Sequence, residues 1–484
     1  MADQLRLDHV GFASASRLAT PNIDRIAGSC AFTGCITPSP MCQPARAALL
    51  TGKYPHQIGL TTMSGDLSRE HPTYAQALSR SGYQTAVFGK LHLLQGWDWY
   101  GKIKGDHDLV AMNDEMRAYG FDQVWECSGK FLVRRNRCHW RQHLEDQGLW
   151  EAYLQHLKRC AGNRFKVEEG HLDEVQAWPL REEDHPDVLT ATKTVEHLER
   201  LETERPFFVF TSFCGPHVPY DPPARYLEEM ANVAADPLVD PEQNISGESA
   251  RKLVQMQRAY KAMVKLIDDQ VGRILDTLER RGLMDNTVIA FCSDHGEMLG
   301  DHGLLQKGYP YWQSLSVPLA ILHPEHRQGW VNHSPVELTD LTATLLDVAG
   351  LDPQQVLAKA WPSYHNIVPG RSLLPILRGE SEAVRDWAFA ESDACWHSGQ
   401  PDPDSNWQVL QNGQWHYQRR VQWRGSNPQN YLEERLFDRI QDPEYQRDIS
   451  GEAGCAAVLE TCRRMRDFIM STTPPAQSSW APLT

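Results

Sequence analysis

No stretch of this 484-residue chain is apolar for long enough to cross a bilayer. The longest apolar run, Pro206 to Cys214, is about half of the roughly twenty residues a spanning helix needs. The opening residues Met1 to Arg6 hold no apolar core of the kind a secretion signal carries. No Cys-x-x-Cys pair occurs, and the 11 cysteines are an odd number. That argues against a disulfide framework and for free thiols in a reducing compartment, so a cytoplasmic location is expected. The glycan-acceptor triplets at Asn244 and Asn332 weigh little against this. Positive charge is in short supply: 48 Lys and Arg face 63 Asp and Glu, a net charge of −15. Such a surface repels phosphate backbones, so neither a nucleic acid nor an anionic membrane is expected as partner. Internal repeats and low-complexity tracts are lacking too, and aromatic residues occur throughout, which excludes disorder as the main theme.

The residues that are there alternate in character. Tyr83–Phe88 leads into Gly89-Lys90-Leu91-His92, Pro206–Thr211 into Ser212-Phe213-Cys214-Gly215-Pro216-His217, and Thr287–Phe291 into Cys292-Ser293-Asp294-His295-Gly296. Near-continuous apolar runs of this kind suit strands buried on both faces of a parallel sheet. Helical spacing separates them. Val188, Ala191, Val195 and Leu198 share one face, and a longer stripe runs from Leu253 through Tyr260, Ile267 and Val271 to Leu278, with Gly282 as its stop. The alternation predicts an α/β fold with a mostly parallel central sheet flanked by helices over residues 1–370. Residues 126–185, polar and rich in Trp and His, read as an insertion over one end of that sheet. Residues 371–484 read as a smaller antiparallel α+β unit. In it, strands over Trp407–Gln411 and Gln414–Trp423 meet at Asn412-Gly413, a type I′ turn signal, and a final helix carries Val458, Cys462, Met465 and Ile469 on one face.

The richest stretch is Cys42-Gln43-Pro44-Ala45-Arg46 followed by Leu50-Thr51-Gly52-Lys53-Tyr54-Pro55-His56. Pro44 suits a first helical turn and Gly52 its end, which puts Cys42 at a helix N-terminus, where free amides and the dipole favour an anion. Arg46 adds a positive charge on the same turn. Taken alone, Cys42 reads equally as a buried cysteine beside a helix cap. Ligands of open α/β sheets bind beyond the carboxyl ends of strands, and Lys90, His92, His217, Asp294 and His295 all lie there. Asp3, Asp294 and His295 are suitable oxygen and imidazole ligands for a divalent cation.

These motifs, with Gly215-Pro216-His217, Ser293-Asp294-His295-Gly296-Glu297, Lys307 and Leu436-Phe437-Asp438, resemble in type and order those of type I sulfatases in the alkaline phosphatase superfamily. The resemblance runs from Asp3 to the last helix. It implies an alkaline phosphatase-like, mixed but mostly parallel sheet and a sulfatase that hydrolyses aryl, small-molecule or saccharide sulfate esters. It also implies a separate maturing enzyme that oxidises Cys42 to formylglycine, whose hydrate supplies the nucleophile. Asp3, Asp294, His295 and the matured Cys42 would then hold a divalent cation, calcium in the first place and manganese in the second. Arg46 and Lys90 would hold the diol and sulfate oxygens, His217 and Lys307 would assist the leaving alcohol, and His92 would take the proton that lets the sulfated hemiacetal collapse. Arg6 and Asp8 would brace the site. Two other outcomes stay open, a phosphonate monoester or phosphodiester hydrolase using the same diol, and a non-catalytic homologue whose Cys42 remains a thiol.

Departures from the family pattern are informative. Gln4 follows Asp3 where many sulfatases have a second Asp, and His295 replaces an Asn. Both resemble the branch that contains choline sulfatases and phosphonate monoester hydrolases. An apolar strand normally precedes the first metal-binding Asp, yet Asp3 stands third in this sequence. The expectation is a poorly anchored Asp3, unpaired backbone groups on its sheet neighbours, weak or no activity, and a native chain that starts further upstream. Trp97 and Tyr100, with Asp98 and Trp99, follow the His92 loop and are candidates for the leaving-group wall, with core packing the competing reading. Lys130, Arg134, Arg135, Arg137 and Arg141 read either as a subsite for further anionic groups on a saccharide or as a solvated face. Association into a homo-oligomer is left open.

Overall fold

Apolar runs ending in small or polar residues become the strands on which the molecule is built. The computed structural model describes residues 1–13, 16–63, 65–95, 106–160, 167, 172, 174–239, 245–358, 367–393, 406–424 and 427–475. In chain order the strands are β1 (Cys30–Phe32), β2 (Cys35–Ile36), β3 (Gln84–Gly89), β4 (Gln123–Glu126), β5 (Phe207–Ser212), β6 (Ile289–Cys292), β7 (Leu319–Leu322), β8 (Trp330–Asn332), β9 (Val336–Glu337), β10 (Ala388–Asp393), β11 (Asn406–Gln411), β12 (Trp415–Arg424) and β13 (Asn427–Asp438).

Two half-sheets carry the site. In one, the order is β4-β3-β5, all parallel, with Gly89 opposite both Glu126 and Ser212. In the other the order is β6-β7-β1-β8. There β7 runs antiparallel to β6 and β1, while β8 is parallel to β1. The first three residues stitch the halves together. The Met1 ammonium donates to Thr211 O at 2.8 Å, and Phe213 N donates back to Met1 O at 2.9 Å. On the other side Ala2 N donates to Cys292 O at 2.9 Å, and Asp3 N returns to the β5 side at Gly215 O, 2.9 Å away. Asp3 is fully buried. The expectation of a poorly anchored Asp3 is therefore corrected, because backbone bonds to both half-sheets fix it.

Helices cover the faces where the apolar stripes predict them. Helix Gly247–Arg280 buries Tyr260, Val264, Ile267, Val271 and Leu275, and Gly282, at φ 65°, lies just beyond its end. Helix Pro186–Arg200 starts on a proline, with the His185 side chain accepting from Asp187 N. Part of the segment over 126–185 forms helices His139–Asp146 and Trp150–Arg159, seated by Trp140 against Tyr153, with ring centroids 5.0 Å apart. The basic run is largely neutralised. Arg137 and Arg141 share Glu145 at 3.0 and 2.8 Å, and buried Lys130 pairs with Asp221 at 2.6 Å, so these three are already matched by acids within the fold.

The C-terminal part holds four antiparallel strands, β10-β11-β12-β13, where the sequence suggested two. The β11–β12 hairpin is present, but not as a type I′ turn: neither Asn412 nor Gly413 has a positive φ. Instead the Asn412 side chain accepts from Gln414 N at 2.9 Å and Trp415 N at 2.6 Å, a side-chain turn of a kind Asn also favours. Helix Ala456–Thr472 packs Leu459 and Cys462 against Tyr54, Phe389, Leu410, Tyr417 and Leu436. No described cysteine is in a disulfide, and among the described residues no helix is long and apolar enough to cross a membrane.

Candidate active site

Helix Cys42–Thr51 begins on Cys42, and its N-cap, Met41, offers no side-chain cap, so the first-turn amides keep their donors. Gly52, at φ 68°, ends the helix. Cys42 Sγ is fully buried, 2.9 Å from Lys307 Nζ, 3.0 Å from His295 Nε2 and 3.6 Å from Asp3 Oδ1. Burial pushes its thiol up, but Lys307, Lys90 and His295 outweigh burial and hold it well below the ordinary cysteine range. An anion at position 42 is the state this pocket favours.

The strand ends deliver the rest. Gly89, at φ 103°, packs so close to Ser212 that a Cβ would lie 1.9 Å from Ser212 O, and this lets Lys90 turn into the site. Lys90 Nζ pairs with Asp3 Oδ2. Arg46 donates through Nε to Asp294 Oδ2 at 2.7 Å and through Nη1 to Ser212 Oγ at 2.9 Å and to Lys90 O. Its Nη2 lies 3.4 Å from Asp3 Oδ2. Arg46 thus binds the carboxylates and both strand ends together behind the pocket. A cavity of about 480 Å³, continuous with solvent, opens on Cys42, Lys90, His92, His217 and Lys307, with Met63, Phe131 and Leu132 as its apolar wall.

Hydrogen bonds fix the imidazole tautomers. His295 Nδ1 lies 2.9 Å from Gly296 O and His217 Nδ1 lies 2.7 Å from Val218 O. A carbonyl only accepts, so each Nδ1 carries the proton and each Nε2 keeps its lone pair in the neutral ring. His92 is the reverse case. Gln95 Nε2 donates to Met63 O at 2.9 Å, so Gln95 Oε1 accepts from His92 Nε2 at 3.0 Å and the neutral ring keeps its lone pair on Nδ1. Burial lowers the pKa of both His92 and His217, aided by Lys90 and Lys307 respectively.

Metal ligation can be tested on the donors themselves. Asp3, Cys42, Asp294 and His295 offer ligand atoms that all lie within 4.8 Å of one another, and all four residues are buried. Asp3 stays ionised: burial and Cys42 push its pKa up, but Lys90, His217 and Arg46 bring it below the usual carboxylate range. Two carboxylates, a lone pair on His295 Nε2 and the position 42 side chain fit a divalent cation. Gln4 lies beside this set. Its N–H donates to Asp294 Oδ1 at 2.9 Å, and its Oε1 accepts from Lys307 Nζ at 2.8 Å, so it aims Lys307 at Cys42.

Of the residues singled out from sequence, Asp3, Cys42, Arg46, Lys90, His92, His217, Asp294, His295 and Lys307 meet at this one place. Trp97 and Tyr100, with Asp98 and Trp99, lie outside the described residues. Arg6 and Asp8 form a two-point pair at 2.8 Å, and Arg6 also holds Asp301 at 2.8 Å, a brace one layer behind the site. Three further residues carry no motif signal. Gln95 sets His92. Glu126 accepts from Leu91 N at 3.1 Å, and Asp187 accepts from Cys214 N at 2.6 Å and Gly215 N at 3.0 Å. Burial raises Glu126 to about 7 and Asp187 to about 6.

A family model described as Sulfatase matches residues 1–351. The arylsulfatase of Clostridium perfringens is 28% identical over 416 residues, covering 81% of this chain and 80% of that protein. The N-acetylglucosamine-6-O-sulfatase of Bacteroides thetaiotaomicron is 27% identical over 404 residues, covering 77% of this chain and 69% of that one. Among solved structures, the phosphonate monoester hydrolase of Agrobacterium radiobacter superposes with a TM-score of 0.73 at 23% identity, over 100% of this chain and 97% of that one. At that identity the likeness is one of fold.

Proposed function

The chain belongs to the sulfatase family, and from that premise we propose that it hydrolyses the sulfate ester of a small molecule or saccharide with a nucleophile made from Cys42. The observation that carries this reading is the convergence on Cys42 Sγ of Lys307, His295 and Asp3, within 3.6 Å, at the N-terminus of a helix. A maturing enzyme would convert the thiol to formylglycine, whose hydrate provides one hydroxyl to attack sulfur and a second through which the intermediate breaks down. A divalent cation, calcium first and manganese second, would be held by Asp3, Asp294, His295 and position 42, and would supply Lewis acidity toward the sulfate.

The side chains of the pocket divide the remaining work. Lys90 and the free amides of the Cys42 helix offset the charge that grows on the sulfate oxygens. Lys307, aimed by Gln4, donates to the departing oxygen, and His217 does so only in its protonated form, with Nδ1–H kept on Val218 O and the second proton on Nε2. His92 accepts a proton at Nδ1, because Gln95 holds its Nε2 protonated. The apolar wall of Met63, Phe131 and Leu132 receives the body of the alcohol and keeps water from the leaving oxygen.

The test has two parts. After co-expression with a formylglycine-generating enzyme, peptide mass spectrometry is expected to find position 42 as the aldehyde or its hydrate, and Cys42→Ala is expected to abolish release of sulfate from an aryl sulfate. An unmodified thiol in a protein of full activity would overturn the reading. A phosphonate monoester or phosphodiester hydrolase is the second reading, favoured by Gln4 and His295. It predicts a kcat/KM for an aryl phosphonate ester above that for the matching aryl sulfate.

A further inference from the structure

Where β3 parts from β5, the chain that carries His217 needs another partner. The ladder between the two strands ends with Lys90 N donating to Ser212 O at 2.8 Å, because Gly89 turns its chain away into the site. Backbone groups alternate in direction along a strand, so the N–H of Cys214 faces the same edge, now without β3 beside it. Cys214 is buried, and a buried N–H without an acceptor is costly.

Asp187 supplies the acceptor from a different element. It lies in the first turn of helix Pro186–Arg200 and is fully buried. An acidic residue there ordinarily serves its own helix, by offsetting the dipole or capping free amides. Here His185 does the capping, its Nδ1 accepting from Asp187 N at 3.2 Å. Asp187 Oδ1 instead reaches across to Cys214 N at 2.6 Å and Gly215 N at 3.0 Å. Its Oδ2 makes no hydrogen bond among the described residues, so the side chain's bonding is directed to these two amides. The contact is close, since a Cβ on Gly215 would lie 2.6 Å from Asp187 Oδ2. From the opposite edge Gly215 O accepts from Asp3 N at 2.9 Å, and Pro216 pairs with Asp3 in parallel. Residues 214–216 are thus gripped on both edges, and His217 follows directly.

We propose that Asp187 is a positioning residue for the leaving-group side of the reaction: by holding the amides of Cys214 and Gly215 it sets where His217 Nε2 stands against the departing oxygen. This rests on the sulfate ester hydrolysis proposed above. Without the carboxylate, two buried donors lose their acceptor and the His217 segment moves to find others. Cys42, Lys90 and Lys307 belong to other elements and keep their places. The loss therefore falls on protonation of the leaving oxygen and grows with the basicity of the alcohol. A role confined to stability would lower the melting temperature and leave the ratio of rates between substrates unchanged.

Leaving-group dependence is the test. In the folded, matured protein with calcium in excess, kcat/KM is measured for 4-nitrophenyl sulfate, whose phenolate leaves readily, and for phenyl sulfate, whose phenolate is far more basic. Asp187→Ala is expected to lose about 10-fold on the first ester and about 1,000-fold on the second. Asp187→Asn keeps the accepting oxygen and is expected to stay within about fivefold of wild type on both. Equal losses on the two esters in Asp187→Ala would overturn the proposal, as would an Asp187→Asn variant as impaired as Asp187→Ala. Should Asp187→Ala not fold, hydrogen exchange resolved to single amides in the unaltered protein decides. Cys214 and Gly215 N–H are expected to exchange at least about 100-fold more slowly than the exposed turn at Gly413, and equal rates would overturn the grip. A matured wild type inactive on both esters would remove the catalytic reading and this proposal with it, whereas an active wild type with equal losses in Asp187→Ala would remove this proposal alone.

Discussion

Gln95 donates through Nε2 to the Met63 carbonyl, and this turns its Oε1 toward His92 Nε2, 3.0 Å away. His92 itself sits at φ 56°, a left-handed conformation rare for a residue with a side chain, so its ring orientation depends on what grips it. Gln95→Leu removes the grip on Nε2 and lets either tautomer form. The expected result is a kcat lowered about 10- to 100-fold with KM within about twofold, and a mixture of His92 tautomers in ¹⁵N spectra. Gln95→Glu keeps an acceptor for His92 Nε2 but loses the donor to the Met63 carbonyl, so it is expected to restore the tautomer and only part of kcat. A KM effect alone, with the His92 tautomer unchanged, would show that Gln95 only fills space. Nothing in the sequence marked Gln95, because Leu93-Leu94-Gln95 reads as the tail of an apolar stretch. Cys42, Lys90, His217 and Asp294 were legible because each sits in a motif whose neighbours are as informative as itself. Glu126 was hidden for the same reason as Gln95, and its titration exposes it. With a pKa of about 7 in the fold against 4.5 ordinarily, Glu126 binds its proton more tightly when folded. Its contribution is therefore fully present below pH 4.5 and lost as pH rises through 7, a change of about 3 kcal/mol. Glu126→Gln cannot ionise. Its melting temperature relative to wild type is expected to climb between pH 5 and pH 8; a difference that stays flat over that range would exclude Glu126 as the titrating group.

Among the elements, the strands legible in advance were those the chemistry uses: Tyr83–Phe88, Pro206–Thr211 and Thr287–Phe291 became β3, β5 and β6 with ends moved by one or two residues. Their apolar runs are long enough to stand out because helices cover both faces. β1, β7 and β8 have three or four residues each, too few for a period to show, and β2 and β9 have two. The hairpin was legible in place but not in kind, since the Asn412 side chain offers two ways to turn a chain and the sequence does not choose between them. What it could not reveal is how closely strand ends approach. At the end of β3, Gly89 combines φ 103° with a missing Cβ whose position lies 1.9 Å from Ser212 O and 2.9 Å from a Thr190 methyl. Backbone cannot yield as a flexible side chain can. Gly89→Ala is expected to cost at least about 3 kcal/mol, from strain at that φ and from separation of β3 and β5 at the site. It is also expected to remove activity even where protein remains folded, because Lys90 and His92 follow directly. Urea denaturation of the variant is the check: a midpoint within experimental error of wild type would mean that the strand ends part easily.

Across the whole molecule, the Cys42 helix and the C-terminal sheet are joined by buried polar groups that no sequence pattern connects. Tyr54, just past the Cys42 helix, donates to Glu337 at 3.0 Å, and Phe389 N of β10 donates to the same carboxylate at 2.8 Å. His56 lies 2.7 Å from Glu391 of β10 through Nδ1, and its Nε2 is 3.1 Å from Thr473 Oγ1 at the end of the last helix. Arg385 is the cation of this joint, 2.7 Å from Glu337 and paired with Asp340. Burial still lifts Glu337 to about 7 despite Arg385. Removing the guanidinium would leave two buried carboxylates with no counter-charge, a loss of about 3–5 kcal/mol when one partner of such a pair is deleted. The pH dependence has a definite sign. Without Arg385 the folded-state pKa of Glu337 rises further above its unfolded value, so the variant keeps its stability at low pH, where that carboxyl is protonated, and loses it as pH increases. Arg385→Met, which fills the space without the charge, is therefore expected to melt near wild type at pH 5 and well below it at pH 8, with hydrogen exchange in β10 accelerated first. A melting-temperature deficit equal at both pH values would assign the loss to packing alone and remove charge balance as the force that seats the C-terminal sheet against the Cys42 helix.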